Sequence, residues 1–469
     1  MAQATSQDIE TFIDEQWASF LDDAARLVEI DSSLDAEHAT DGAPFGPGAR
    51  RALDETLAIA ARMGLAVHDG DGYAGYADLP GESGQQLGVI GHVDVVPAGE
   101  GWHFPPFSLT RKDGMLIGRG TADDKVPVLC ALYALKFWID RGVSLRHDVR
   151  FIFGCNEESG MAEIPYYLAR HDAPDFLFTP DAEFPLCYGE KGLFGCMLSR
   201  EVAPGAVVSF EGGIQPNAVP SSARAVVRCS ADCLPAADRI TLEPADEGCM
   251  CVRATGVGGH ASLPDGTVNA VGVLAQYLLD AEVCSGDEQA WLTLLARLAA
   301  STDGSFPGVA AHDADFGALT SVVGVARKDD ARWICTVDVR FPASTCGEAL
   351  VRAFMRLAQQ EGCDLEVVRN QEPFLVDPNA APVQALMRAY RAATNREVLP
   401  FTMGGATYAR EFPRAVSFGP AEEGVFERPS WVGGMHAADE GVPEAELRQA
   451  MAIYIRAFGL LAEVDDLRS

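Results

Sequence analysis

Apolar and polar residues recur with different periods in different parts of this chain. Between Ser6 and Ile30, Ile9, Phe12, Ile13, Trp17, Phe20 and Leu21 follow one another at helical spacing. They predict an amphipathic helix that Ser6 can cap. Leu87 to Ile90 is a short unbroken apolar run, which predicts a buried strand delivering His92 and Asp94 at its C-terminal end. Lys125 to Asp140 is strongly apolar and predicts a buried helix. Asp148 to Cys155 predicts a second buried strand, ending at Glu157 and Glu158. Ala162 to Arg170 predicts a helix, and Asp175 to Phe178 a strand ending at Asp181. Strand, loop and helix in repetition predict a mostly parallel sheet with helices on both faces. Ligands of such sheets collect at the carboxyl ends of the strands.

Beyond Lys191 the texture changes. Ser321 to Val325 and Arg332 to Phe341, joined through Arg327-Lys-Asp-Asp330, predict an antiparallel hairpin. A helix from about Gly347 to Gln360 and a short strand at Leu365 to Val368 follow. Helix Val383 to Thr394, strand Ala415 to Phe418 and helix Glu444 to Val464 then return to the first style. The expected class is α/β, with an α+β domain at 190–380 inserted between the two parts, 1–189 and 381–469, of a main domain.

At 469 residues the chain exceeds one typical core, which agrees with two or three domains. A net charge of -32 argues against nucleic acid, whose phosphates are bound by Lys and Arg, and against anionic lipid. No apolar stretch reaches the roughly 18 residues that span a bilayer. The first ten residues lack the basic and apolar regions of an export leader. Of the 12 cysteines only Cys229/Cys233 and Cys249/Cys251 are close pairs, and neither has C-x-x-C spacing. A reducing cytoplasm is the expected location, and with no evident pairing strand in the insert a monomer is the expected state.

The predicted strand ends carry the chemistry. They present His92-Val-Asp94-Val-Val-Pro97, Gly120-Thr-Ala-Asp123-Asp124-Lys125, Asn156-Glu157-Glu158-Ser-Gly160 and Pro180-Asp181-Ala-Glu183, with Gly433-Gly-Met-His436 near the end. Two divalent ions about 3.5–4 Å apart need a bridging carboxylate and a bridging water, and together they activate that water and polarise a carbonyl. Two His, one bridging and two terminal carboxylates are a minimal set, and His92, His436, Asp123, Glu158 and Asp181 provide it. Asp94, two residues past His92 in an extended segment, points to the same side and can hold the second imidazole nitrogen. Glu157 is left to act as general base.

In this order and spacing the segments resemble the M20 metallopeptidases, in the bacterial, carnosinase-related dipeptidase branch, over almost the full length. The resemblance implies one metal on His92, Asp123 and Asp181 and another on Asp123, Glu158 and His436, with Asp123 bridging. Glu157 would be the base and proton shuttle, and Asp94 the orienter. A cis peptide between Asp123 and Asp124 is also implied. In the insert, which becomes a lid, Gly258-Gly-His260-Ala-Ser262 resembles the histidine motif that stabilises the oxyanion. Asn217 and Arg340 resemble substrate contacts, Arg340 as a clamp on a free carboxylate. Gly404-Gly405-Ala-Thr-Tyr408 resembles a glycine-rich substrate loop.

One departure is local. The family usually has Gly after Asp-Asp-Lys, and here Val126 and Pro127 stand there, with Pro127 suited to a first helical turn. His103 and His312 are expected to lie in a loop and on an acidic surface rather than on a metal. The expected activity is hydrolysis of the amide bond of small peptides, dipeptides first, with two divalent cations, zinc before manganese or cobalt. An N-acyl amino acid deacylase or carboxypeptidase with the same centre is the alternative, and a non-catalytic binding protein a further one.

Overall fold

Six of the seven residues of strand Gln86–His92 are buried in succession, so both faces of the sheet around it must be covered. The computed structural model describes residues 4–245 and 248–469; the first three residues of the segment read for an export leader lie outside them. The chain forms two compact units, one of residues up to Gly189 with Leu375–Phe401 and Ala406–Ser469, the other of Glu190–Phe374 and Thr402–Gly405. The expected insert ran to residue 380. The chain instead rejoins the first unit at Leu375, where Phe374–Leu375 forms the edge of that unit's sheet, and lends four later residues to the second.

In the first unit the sheet runs Ala66–Gly70, Ala74–Leu79, Asp148–Gly154, Gln86–His92, Phe176–Thr179, Ala415–Ser417, Cys187–Glu190, Phe374–Leu375. The four strands from Asp148–Gly154 to Ala415–Ser417 are parallel, whereas the neighbours on either side of them pair antiparallel. The sheet is therefore parallel at its centre and mixed at its margins. Ala66–Gly70 and Ala74–Leu79 are joined by three residues, a link that permits only antiparallel pairing. Their mixed burial leaves no apolar run for the sequence pattern to register.

Helix Lys125–Asp140 is apolar all round and buried on nearly every residue. Trp138 Nε1 donates to the Ile455 carbonyl at 3.0 Å and ties it to helix Glu444–Leu461. Phe12 and Tyr133 join it to the first helix through T-shaped contacts, Phe12 on Phe137 and Phe20 on Tyr133. That first helix is Ser6–Val28, and Thr5, not Ser6, caps it. Thr5 has Asp8 three residues on to complete a capping box, whereas Ser6 would have Ile9 there, with nothing to return. Helix Pro47–Arg62, which the apolar pattern did not single out, buries a face of small residues, Gly48, Ala49, Ala52 and Ala60, with Leu53 and Leu57.

The second unit is an eight-stranded antiparallel sheet with helices Ala270–Asp280, Gly286–Ala300 and Gly347–Glu361. The predicted hairpin is present as Thr320–Asp329 paired with Arg332–Phe341. Burial alternates along Arg332–Phe341, one face lying on a core that holds Trp291, Trp333 and Phe354. The predicted strand at 365–368 extends over Asp364–Gln371.

Candidate metal centre

Three parallel strands and two loops of the first unit bring seven residues together. His92 ends strand Gln86–His92, Glu157 and Glu158 follow Asp148–Gly154, and Asp181 follows Phe176–Thr179. Asp123 lies just before helix Lys125–Asp140, joined to Asp124 by a cis peptide. His436 comes from the loop between Gly433 and Glu440. His92 Nε2 lies 2.9 Å from one oxygen of Asp123, and His436 Nε2 lies 2.9 Å from the other. Asp181 is 3.7 Å from His92, and Glu158 is 3.1 Å from His436. The sets His92, Asp123, Glu158 and His92, Asp124, Asp181 each offer donor atoms within 4.8 Å of one another.

Asp94 acts on its neighbours in two ways. Its main-chain carbonyl is 3.0 Å from His92 Nδ1, closer than its carboxylate at 3.5 Å. The carboxylate accepts the main-chain N–H groups of Glu157 and Glu158, both at 3.2 Å, and so shapes the turn that carries them.

Burial dominates the electrostatics. It alone would strip His92 of its proton, yet hydrogen bonds with Asp123 and Asp94 outweigh it and hold the imidazole well above its ordinary range. The hydrogen bonds to Asp123 and Glu158 push His436 up to about 10. Burial, with Asp123 beside it, pushes Asp181 up to about 7, and burial with the surrounding carboxylates raises Glu157 strongly. Burial would raise Asp123 too, but the two imidazoles hold it below the usual carboxylate range. Crowded carboxylates thus need positive charge, and here imidazole protons supply it. Divalent cations fit the same need, since the donors are imidazole and carboxylate. Glu158 Oε1 and Asp124 Oδ1 are buried with no hydrogen-bond partner, as donors awaiting a cation would be.

His260, Asn217, Arg340 and Gly405 all belong to the second unit, and it groups them. Asn217 O accepts the Ala261 N–H at 2.9 Å, where Ala218–Val219 pairs with Gly259–His260. The Ser262 N–H points at His260 Nδ1, 3.2 Å away, which leaves the ring proton on Nε2. Arg340 gives Nε and Nη2 to Asp338 and Nη1 to the Gly404 carbonyl at 2.8 Å. A Cβ on Gly404 would sit 2.6 Å from that of Ser262, so only glycine fits. His103 binds Asp439 at 2.7 Å from a loop, and His312 is exposed on a two-residue strand; neither is in the candidate metal sets. Pro127 sits in the first turn of its helix, and Val126 is buried.

Three residues escaped the sequence pattern. Glu440 accepts N–H groups from Gly120, Ala122 and Asp123 and pairs with the buried Arg119. Glu163 accepts the Asn156 N–H at 3.1 Å and the Tyr408 hydroxyl, bracing the Glu157 turn from below. Arg119 and Glu440 adjoin the marked strings at Gly120–Lys125 and Gly433–His436, whereas Glu163 lies in the predicted helix Ala162 to Arg170.

Imidazoles and carboxylates gathered at the carboxyl ends of parallel strands define a metal-dependent hydrolase. The chain matches the model of peptidase family M20/M25/M40 over residues 88–459, and it belongs to that family. A protein of Staphylococcus haemolyticus that carries the name of a dipeptidase is 32% identical over 467 residues, covering 95% of this chain and 97% of its own. Human carnosine dipeptidase 1 has the same fold, with a TM-score of 0.60 at 15% identity, covering 98% of this chain and 100% of its own. A metallo-carboxypeptidase of Sulfolobus solfataricus also shares it, with a TM-score of 0.60 at 14% identity over 95% and 99% of the two chains. Among the described residues no helix is long and apolar enough to cross a membrane.

Proposed function

We propose that this enzyme is a dipeptidase of the cytoplasm, a monomer that works with two zinc ions, manganese or cobalt being the alternatives. One observation carries the two-cation reading: the oxygens of Asp123 each face a different imidazole at 2.9 Å, the arrangement a bridging carboxylate requires. His92, Asp123 and Asp181 would hold one ion and Asp123, Glu158 and His436 the other. The pair, when bound, lowers the pKa of water and polarises the scissile carbonyl.

The chain's own groups do the rest. Asp94 holds the turn at Glu157, which takes a proton from the attacking water and delivers it to the leaving amine nitrogen. His260, protonated on Nε2, donates to the oxyanion. Arg340, with Asp338 and Gly404 occupying three of its five N–H groups, keeps one on each Nη for a substrate carboxylate. Asn217 and the backbone at Gly405 contact the peptide. The name carried by the staphylococcal relative favours dipeptides over N-acylated amino acids.

Elemental analysis of the purified protein, with turnover of a dipeptide panel and its N-acetylated counterparts with and without chelator, tests the proposal. Two equivalents of metal and chelator-sensitive cleavage of free dipeptides are expected. Preference for the acetylated series would move the assignment to a deacylase.

A further inference from the structure

Asp123 and His436 come from loops far apart in sequence, and the structure shows what fixes one against the other. Glu440 Oε1 accepts the N–H groups of Gly120 at 3.0 Å, Ala122 at 2.9 Å and Asp123 at 3.3 Å, so a single oxygen collects the loop that presents Asp123. Its other oxygen pairs with Arg119 Nη1. Arg119 Nη2 in turn reaches the carbonyls of Ala98 and His436, both at 3.3 Å, and Pro97 at 3.4 Å. Glu440 has no solvent exposure and Arg119 1%, so water cannot substitute for either partner.

The geometry points to Arg119 and Glu440 as positioning residues that set the distance from Asp123 to His436, and hence the cation on the His436 side. Both are buried, and neither offers an atom to the candidate metal sets. The other half of the centre is held differently. His92 leaves its strand with its N–H on Asp124 at 3.0 Å and its Nδ1 on the Asp94 carbonyl, and Asp181 follows its own strand. Asp123 would serve both cations, but His92 and Asp181 keep their own supports, so loosening the Arg119–Glu440 pair should weaken the cation on the His436 side more than the other. This inference rests on the two-cation reading above.

Chelated full-length protein titrated with Zn²⁺, followed by calorimetry, tests it. Glu440→Gln turns an amide N–H₂ toward Arg119 or toward the three N–H groups. Arg119→Lys keeps the charge but cannot span both Glu440 and the His436 carbonyl. Each variant is expected to bind one cation at least about 10-fold more weakly, as losses of outer partners do, and the other with a markedly smaller loss. Glu444→Gln, which removes a carboxylate bonded to Trp17 and Arg111 four residues further on, should titrate like the wild type. Two cations at unchanged affinity in both variants, or parallel loss of both, would overturn the inference. If neither variant folds, amide exchange in the chelated wild type decides: protection of Gly120, Ala122 and Asp123 before metal is added supports it, and exchange at open-loop rates refutes it. Wild-type protein that takes up no divalent cation would instead remove the two-cation reading itself.

Discussion

Replacing Glu157 by Gln isolates proton transfer from everything else in the centre. The main-chain N–H of Glu157 is held by Asp94 at 3.2 Å, so the turn does not depend on its side chain. No hydrogen bond anchors that side chain among the described residues, and Glu157 is absent from the candidate metal sets. Burial and the neighbouring carboxylates of Asp181, Asp123 and Glu158 already disfavour its charge, so a neutral amide of the same shape costs the fold nothing. The loss should fall on the barrier alone. General acid–base catalysis contributes about 10²–10⁴-fold, or about 2.7–5.4 kcal/mol at 1.36 kcal/mol per decade. Steady-state kinetics on a dipeptide should show kcat down by that factor and KM within about threefold. Thermal melting and metal content measured alongside should match the parent. A folded, fully loaded variant with kcat within twofold of the parent would falsify the assignment of Glu157 as base.

Metal uptake should be linked to pH. Without cations the hydrogen-bonded imidazoles are raised, His436 to about 10 and His92 well above its ordinary range, so both carry protons at pH 7. Each must lose its proton to bind a cation, and Asp181, pushed up to about 7, must give up its share as well, so loading at pH 7 should release more than two protons and affinity should climb as pH rises. Calorimetry in buffers of different ionisation enthalpy reads this directly, and uptake without proton release contradicts it. Gly91→Ala would place a Cβ 2.3 Å from Asp124 Oδ2 and 2.7 Å from Val128 Cβ. Such overpacking costs about 1–3 kcal/mol, and the melting temperature should drop with metal affinity. A variant that melts and binds like the parent would show the helix can shift freely. Arg340→Lys loses the fork that Asp338 and Gly404 orient, and KM for free dipeptides should rise about 10-fold or more with kcat less affected. An unchanged KM would leave the carboxylate clamp without support.

How much was legible from residues alone depended on where the constraint lies. The central strands and helix Lys125–Asp140 are buried on most of their residues, so they appear as predominantly apolar runs. The five proposed ligands stand at strand ends or beside glycines, where both position and residue type mark them. Glu440 could not be read in this way, because the N–H groups it accepts belong to a loop more than 300 positions earlier. Helices Ala270–Asp280 and Gly286–Ala300 lie in the insert, where the strong signals were the hairpin and one amphipathic helix. The return at Leu375 and the excursion at Thr402–Gly405 are set by pairing along an existing strand, which leaves no local trace.

The partners Arg119 and Glu440 stand 321 positions apart. On a ribosome, the segment bearing His92, Asp123, Glu158 and Asp181 emerges long before the stretch that contributes His436 and Glu440. A half-made chain thus displays an acidic patch with one imidazole and no second anchor. The proposed hydrolytic centre therefore cannot be completed before translation has passed Glu440.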